Sequence, residues 1–505
     1  MAISKAMIVF PLLCFLFSTI STLSHPNTLV CNETEKRALL SFKHALFDPA
    51  HRLSSWSTHE DCCGWNGVYC HNITGRVIKL DLMNPDSYNF SLGAMLVVSP
   101  ALLQLEFLNY LDLSWNDFGG TPIPSFLGSM RSLTYLDLHC ASFGGLIPPQ
   151  LGNLSNLQYL SLGSGYSFYE PQLYVENLGW ISHLSSLEFL LMFEVDLQRE
   201  VHWLESTSML SSLSKLYLVA CELDNMSPSL GTSHIPLNEL HLSYNQLTGQ
   251  IPEYIGNLSS LTSLSLNANR IVDEYMPDRP NFPTWLQTQT SLRYLDISKS
   301  GIVDIAPKWF WKWASHIDLL IDLSDNQISG NLSGVLLNNT YIDLRSNCFM
   351  GKIPDSMGSL FELEALHLHN NSLSGDIPPS LRNCKSLGLL DLGGNKLSGN
   401  LPSWMGERTT LTALRLRSNK LIGNIPPQIC QLSSLIILDV ANNSLSGTIP
   451  KCFNNFSLMA TTGTEDDAFS VLEFYYYYSY YATWRQTMRI LCWSSKGRNQ
   501  STGAF

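Results

Sequence analysis

Residues Leu432–Cys452 read LSSLIILDVANNSLSGTIPKC. Their skeleton is L-x-x-L-x-x-L-x-V-x-x-N-x-L-x-G-x-I-P. The skeleton returns through most of the chain. Its asparagine falls at Asn347, Asn371, Asn395, Asn419 and Asn443, 24 residues apart each time. Asn245 and Asn269 keep the same spacing, and Asn116 and Asn326 stand at the same place in their units. Other units fill that place with Ala141, Gly165, Val195, Cys221 and Ser300.

About 15 such units run from Val77 to Pro450, and a fixed period of this size with L-x-x-L-x-L-x-x-N marks a leucine-rich repeat. In LTALRLRSNKLIGNIP, Leu411–Pro426, Leu414 and Leu416 alternate and so leave one face of a short strand. Asn419 turns the chain, and stacked copies of its amide are expected to satisfy backbone groups left open by the turn. Leu421 and Ile425 return to the core, and Pro426 suits an extended or 3₁₀-like return. One unit cannot bury its leucines alone, whereas a stack buries a continuous core. The expected fold is therefore α/β, a single parallel-stranded solenoid rather than several globules.

The 505 residues carry a net charge of −12 and are only 14% charged. No basic stripe marks a nucleic-acid partner. Lys5, the apolar run Ala6–Ile20 and the small residues of Ser21–His25 read as a secretory signal peptide. Secretion permits disulfides, so the cysteines are read as candidates for pairing. Cys430 and Cys452 lie 22 residues apart, nearly one unit, so adjacent coils bring them together. Cys140, Cys348 and Cys384 read as unpaired. N-glycosylation sequons stand at Asn32, Asn72, Asn89, Asn153, Asn225, Asn257, Asn331, Asn338, Asn370, Asn442, Asn455 and Asn499.

An open solenoid needs its ends covered. CNETEKRALLSFKHAL opens a cap at Cys31, with Leu39, Leu40, Phe42 and Leu46 spaced as an amphipathic helix. DCCGWNGVYC follows, and the four cysteines Cys31, Cys62, Cys63 and Cys70 admit three pairings.

The cap, the unit LSGxIPxxLGNLxxL and the closing ICQLSSLIILDVANNSLSGTIPKC together resemble plant receptor-like proteins. The similarity is strongest to the defence type that includes fungal-xylanase receptors and apple scab resistance proteins. It covers roughly residues 1–485. It implies a right-handed plant-type solenoid (a horseshoe or superhelix) with a parallel sheet on the concave face, and the bonds Cys31–Cys62 and Cys63–Cys70. It implies a chain divided into signal peptide 1–24, cap 25–75, repeats 76–451, a non-repeating island 452–485 and a tail 486–505. Family members stand at the cell surface, bind a microbial or peptide ligand and recruit a partner receptor kinase. Here the period stops after Cys452, and no membrane segment or kinase signature follows. The tail fits nothing in the family. Shifted by one nucleotide, one choice of its codons encodes a peptide like the one the family places after the island, so we expect an out-of-frame, truncated and secreted product.

The positions beside the strand leucines are expected to face a ligand. In the early units these are Tyr110, Asp112, Trp115, Tyr135, Asp137, His139, Tyr159, Phe189 and Phe193. In the later ones they are Tyr294, Asp296, Lys299, Tyr341, Asp343, Arg345, His367, His369, Arg415 and Arg417. Tyr, Trp and Arg are favoured anchors at protein interfaces. The plainer reading is that they only cover the sheet. Asn370 and Asn442 lie on the same face, where glycans would block its C-terminal part. His367 and His369 alternate on one strand and could bind a metal, but without a third ligand nearby they read as surface histidines. No nucleophile–base pair stands out, so neither an enzyme nor a cofactor is expected. Two rivals share the fold: a secreted inhibitor of pathogen wall-degrading enzymes, similar to polygalacturonase inhibitors, and a developmental peptide receptor.

Overall fold

The structure, a computed structural model, describes residues 30–84, 93–94, 98–163, 173–224, 236–247, 253–269 and 282–455. The expected signal peptide, tail and all of the island beyond Asn455 lie outside the described residues, as do Asn89, Asn225 and Asn499. The first described element is a helix, Glu33–His44. Asn32 caps it by accepting from the amides of Thr34 and Glu35, acids occupy the first turn, and Lys43 and His44 the last. Leu39 and Phe42 are fully buried. Leu46 falls beyond the helix, in a two-residue strand paired with Gly93–Ala94. The carboxylate of Glu35 is buried too. It accepts from the Val77 amide at 2.8 Å and faces the Arg76 guanidinium at 3.2 Å, which fastens the helix to the first coil. Cys31 bonds Cys62 and Cys63 bonds Cys70, the pairing the resemblance implied. Trp56 and Trp65 stack behind them, 5.4 Å apart.

From there each coil contributes one short strand to a 16-stranded sheet. The cap strand Val68–Cys70 runs antiparallel to Val77–Asp81. Every later pairing is parallel and in register, from Lys79 opposite Tyr110 to Arg415 opposite Asp439. Leu411, Leu414, Leu416 and Leu421 are buried to within 1% in a typical coil. At about 1.5–3 kcal/mol for each large apolar side chain, burial drives the stacking.

The expected asparagine ladder is present. Asn371 donates to the carbonyls of Leu344, Leu368 and His369, and its Oδ1 accepts from the Phe349 amide. Asn245, Asn326, Asn347, Asn395, Asn419 and Asn443 repeat the scheme. Where Cys221 stands instead, its thiol points at the carbonyls of Met192 and Val219, 3.3 Å away.

Among the described residues, the residue before each ladder position takes the left-handed conformation, which the repeat pattern did not announce. Trp115, Cys140, Glu194, Ala220, Tyr244, Ala268, Lys299, Asp325, Ser346, Asn370, Ser418 and Asn442 all have φ between 48° and 61°. Such a backbone costs roughly 1–2 kcal/mol for a side chain larger than glycine. It persists because the turn aims each amide at the next coil: Ala268 at the Ser298 carbonyl (3.0 Å), Ser346 at His369 (2.9 Å) and Ser418 at Ala441 (2.9 Å).

Beyond the turn, several coils pair a second time. Ser329–Asn331, Cys348–Gly351, Ser372–Asp376 and Lys396–Ser398 form a small parallel sheet. Gly399 follows at φ 79°, with Asp376 Oδ1 only 2.5 Å from where a β-carbon would sit. Pro426 is extended and leads into a 3₁₀ helix, Pro427–Gln431. Cys430 is bonded to Cys452 across the last two described coils. Cys140, which the repeat pattern left unpaired, is disulfide-bonded. Cys221, Cys348 and Cys384 are free. Leu438, Val440, Leu445 and Phe453 are only partly buried, because no described coil lies on their far side.

Candidate ligand-binding face

Strands in register about 4.8 Å apart carry their side chains in straight columns across the coils. The first column begins with Lys79, whose ammonium lies 3.9 Å from the centre of the Tyr110 ring. Tyr110 stacks on Tyr135 at 4.0 Å, Tyr135 on Tyr159 at 4.1 Å and Tyr159 on Phe189 at 4.4 Å, each pair within 9° of parallel. Phe189 then meets Tyr217 edge-on. Farther along, the column continues as Tyr294, Leu320, Tyr341, Ala365, Leu389 and Ala413, all buried.

The second column is rich in carboxylates. Asp112 accepts from the amide and hydroxyl of Ser114 at 3.0 and 2.6 Å. Asp137 accepts from the hydroxyls of Tyr135 and Tyr159, both at 3.3 Å, and faces His139 Nδ1 at 2.6 Å. Asp296, Asp322 and Asp343 stand opposite one another in register. Burial, then the neighbouring Asp137, pushes the Asp112 carboxyl up to about 7. Burial lifts Asp296 to about 6 despite the bonds from Ser298. Burial and the Asp343 charge hold Asp322 well above the usual carboxylate range. His241, buried and then disfavoured by Lys215, falls to about 3 and stays neutral.

The C-terminal part of the face is a network of opposite charges. Arg345 pairs with Asp343 at 3.0 Å and with Asp325 at 3.6 Å. His369 Nδ1 lies 3.1 Å from Asp391 Oδ2, which Arg415 approaches to 3.8 Å. Arg417 reaches Asp439 at 3.6 Å and remains 57% exposed.

The face is thus more closed than the alternation of residues predicts. Asp112, Asp137, His139, Phe189, Phe193, Tyr294, Asp296, Tyr341, Asp343 and His367 are buried in their columns. Tyr110, Trp115, Tyr135, Tyr159, Arg345, His369 and Arg415 are half-buried, and Arg417 is exposed. Lys79, Tyr217 and Tyr244 were missed. Lys79 is visible as the first in-frame residue of the earliest coil, and Tyr244 as the residue before a ladder asparagine. Of the described sequons, Asn72, Asn153, Asn257, Asn331, Asn338, Asn370 and Asn442 are exposed. Asn32 is half-buried as the helix cap, and Asn455 is the last described residue. The reading that His367 and His369 lack a third ligand is corrected. The next coil brings Asp391 to them, with one donor atom of each residue within 4.8 Å of the others.

A cysteine cap, parallel strands on one face, an asparagine ladder and 3₁₀ returns define the class: a plant-type leucine-rich-repeat solenoid. Residues 32–71 match the leucine rich repeat N-terminal domain, and residues 98–277 match the leucine-rich repeat region. Residues 362–384, 410–432 and 434–456 match the single leucine rich repeat. The chain is similar to receptor-like protein EIX1 of Solanum lycopersicum, 39% identical over 48% of this chain and 24% of that protein. It is similar to EIX2 of the same species, 35% identical over 61% of this chain and 32% of the relative. Receptor-like protein Cf-9 of Solanum pimpinellifolium is 30% identical over 53% of this chain and 26% of its own length. These alignments thus span a third or less of each relative.

Among solved structures, the ectodomain of the Arabidopsis receptor kinase HAESA superposes with a TM-score of 0.56 at 24% identity, over 84% of this chain and 80% of that one. A TDR receptor superposes with a TM-score of 0.56 at 25% identity, over 76% of this chain and 67% of that one. The chain is a leucine-rich-repeat protein and is similar to the plant receptor-like proteins. Among the described residues, no helix is long and apolar enough to cross a membrane.

Proposed function

We propose that this chain forms the ligand-recognition surface of an extracellular plant immune receptor-like protein. It binds a microbial protein or peptide along the open face of its sheet and acts through a partner receptor kinase. The supporting observation is the composition of that face. A stack of parallel rings runs from Tyr110 to Phe189, with Lys79 against one end and Tyr217 edge-on at the other, Trp115 is half-buried on the same side, and a charged network ends at the exposed Arg417. Stacked rings lose little conformational freedom on binding, and Tyr, Trp and Arg dominate interface energetics. Buried carboxylates with their own donors serve to hold the rings in place rather than to perform chemistry. The similarity to receptor-like proteins supports the receptor reading.

The test is capture of proteins from fungal culture filtrates by the secreted chain, followed by affinity measurement with Trp115→Ala and Arg417→Ala variants. A ligand whose affinity falls in these variants, and which acts as an elicitor, is expected. Capture of a wall-degrading enzyme whose activity the chain abolishes, without elicitor activity, would move the assignment to the inhibitor class.

A further inference from the structure

We propose that His367, His369 and Asp391 form a binding site for a divalent transition-metal ion of the zinc type, joining two adjacent coils. The inference does not depend on the proposed recognition role. His367 ends the strand Ala365–His367, and His369 follows two residues later, just before the turn. Asp391 stands directly opposite His367 on the next strand. One donor atom from each of the three lies within 4.8 Å of the others, and His369 Nδ1 and Asp391 Oδ2 are 3.1 Å apart. Metal–ligand bonds of about 2.0–2.1 Å at tetrahedral angles place donors roughly 3.3 Å apart. The His369–Asp391 separation is already near that value and all three donors lie within 4.8 Å, so a modest adjustment of the side chains would close the set.

Two imidazoles and one carboxylate suit zinc, copper or nickel better than calcium or magnesium. Three protein donors leave a fourth tetrahedral position for water or a donor from a bound partner. The surroundings accept a cation. Asp343 lies opposite His367 on the other side, although Arg345 pairs with it. Arg415 approaches Asp391 only to 3.8 Å from a side chain 35% exposed, so it can turn outward when the ion enters. His367 and Asp391 are nearly buried, while His369 is 27% exposed and marks the accessible side. The Cys31, Cys62, Cys63 and Cys70 group is the other cluster of potential ligands among the described residues, and its sulfurs are consumed in disulfides.

The experiment uses the full chain, stripped with chelator and titrated with zinc chloride by calorimetry. Cobalt chloride serves as a spectroscopic substitute. One ion per chain is expected, with tetrahedral cobalt absorption and a zinc-dependent rise in melting temperature. His369→Gln and Asp391→Asn should each weaken zinc binding by at least about tenfold. Cys348→Ser, which removes the exposed free thiol, should leave binding unchanged. His369→Gln alters a partly exposed side chain and keeps the test readable if Asp391→Asn does not fold. No zinc binding by the intact chain, or binding undiminished in His369→Gln, overturns the proposal.

Discussion

Tyr135 and Tyr159 lie ring on ring, their centres 4.1 Å apart and their planes 9° from parallel, and both hydroxyls donate to the same oxygen of Asp137. The Tyr135 bond lies within one strand, whereas the ring contact and the Tyr159 bond are made by the stacking of coils. The pair therefore belongs to the scaffold as much as to the surface, and the same holds for the column around it.

That double role separates two substitutions. Phe189 is 5% exposed and closes the parallel stack. Phe189→Ala should cost about 3 kcal/mol of stability, as other buried aromatics do. Trp115 is half-buried at the rim of the turn, so Trp115→Ala should leave stability within about 1 kcal/mol while weakening ligand binding tenfold or more. Urea denaturation, with binding measured in parallel, distinguishes the two. Equal loss of stability in both variants would place Trp115 in the scaffold.

The ladder predicts its own cost. Asn371→Ala would strip the carbonyls of Leu344 and Leu368 and the amide of Phe349 of a buried partner. With about 1–3 kcal/mol for a stranded polar group, a loss near 3 kcal/mol is expected. Asn442→Ala, three coils later and exposed at the turn before the ladder residue, should cost no more than about 1 kcal/mol in the same denaturation series, from the left-handed backbone that asparagine tolerates better than alanine.

Left-handed turns offer a stabilising change. Ala268 has φ 52°. Ala268→Gly removes the β-carbon clash, and part of the gain is offset by the freer unfolded chain, leaving a net stabilisation of about 0.5 kcal/mol. Ala268→Val should do the opposite by more than about 1 kcal/mol, since a branched side chain tolerates this backbone worst. Thermal melts of both variants against the parent measure the difference.

Carboxylates with raised pKa impose a direction on pH dependence. Asp112 and Asp296 titrate at about 7 and about 6 in the fold, against an ordinary value of 3.8. The folded state thus holds more protons than the unfolded one between these values. Their contribution to stability is present at low pH and lost as pH rises through 6 to 7. The melting temperature should fall from pH 5 to pH 8, and Asp112→Asn with Asp296→Asn should flatten that fall. An unchanged slope in the double variant would remove these two groups as its source.

The last disulfide should matter for the far end. Replacing Cys430 and Cys452 by serine opens a loop of 22 residues between two coils. A loss of about 3 kcal/mol is expected on chain-entropy grounds. Hydrogen exchange should show that loss concentrated after Leu411, because coils interact only with their neighbours.

Much of this architecture was legible in the residues alone. The 24-residue spacing of Asn347 to Asn443 dictated parallel coils, the leucines dictated which side is core, and the asparagines dictated the ladder. These are local rules repeated, so one unit suffices to read them. The left-handed turns were hidden, because residues as different as Trp115, Glu194 and Ser418 adopt them; the backbone there is imposed by bonds to the next coil, not by side-chain preference. The second small sheets were hidden for the same reason.

The sequence by itself determined the period, the core and the columns in which side chains fall, because these follow from spacing along the chain. Only the tertiary structure decided how open the columns are and which residues meet across them. Stacking buried His367 and Asp296 where alternation alone had them facing solvent, and it carried Asp391 to two histidines more than twenty residues earlier. Contacts between coils depend on register and curvature, and no single coil contains that information.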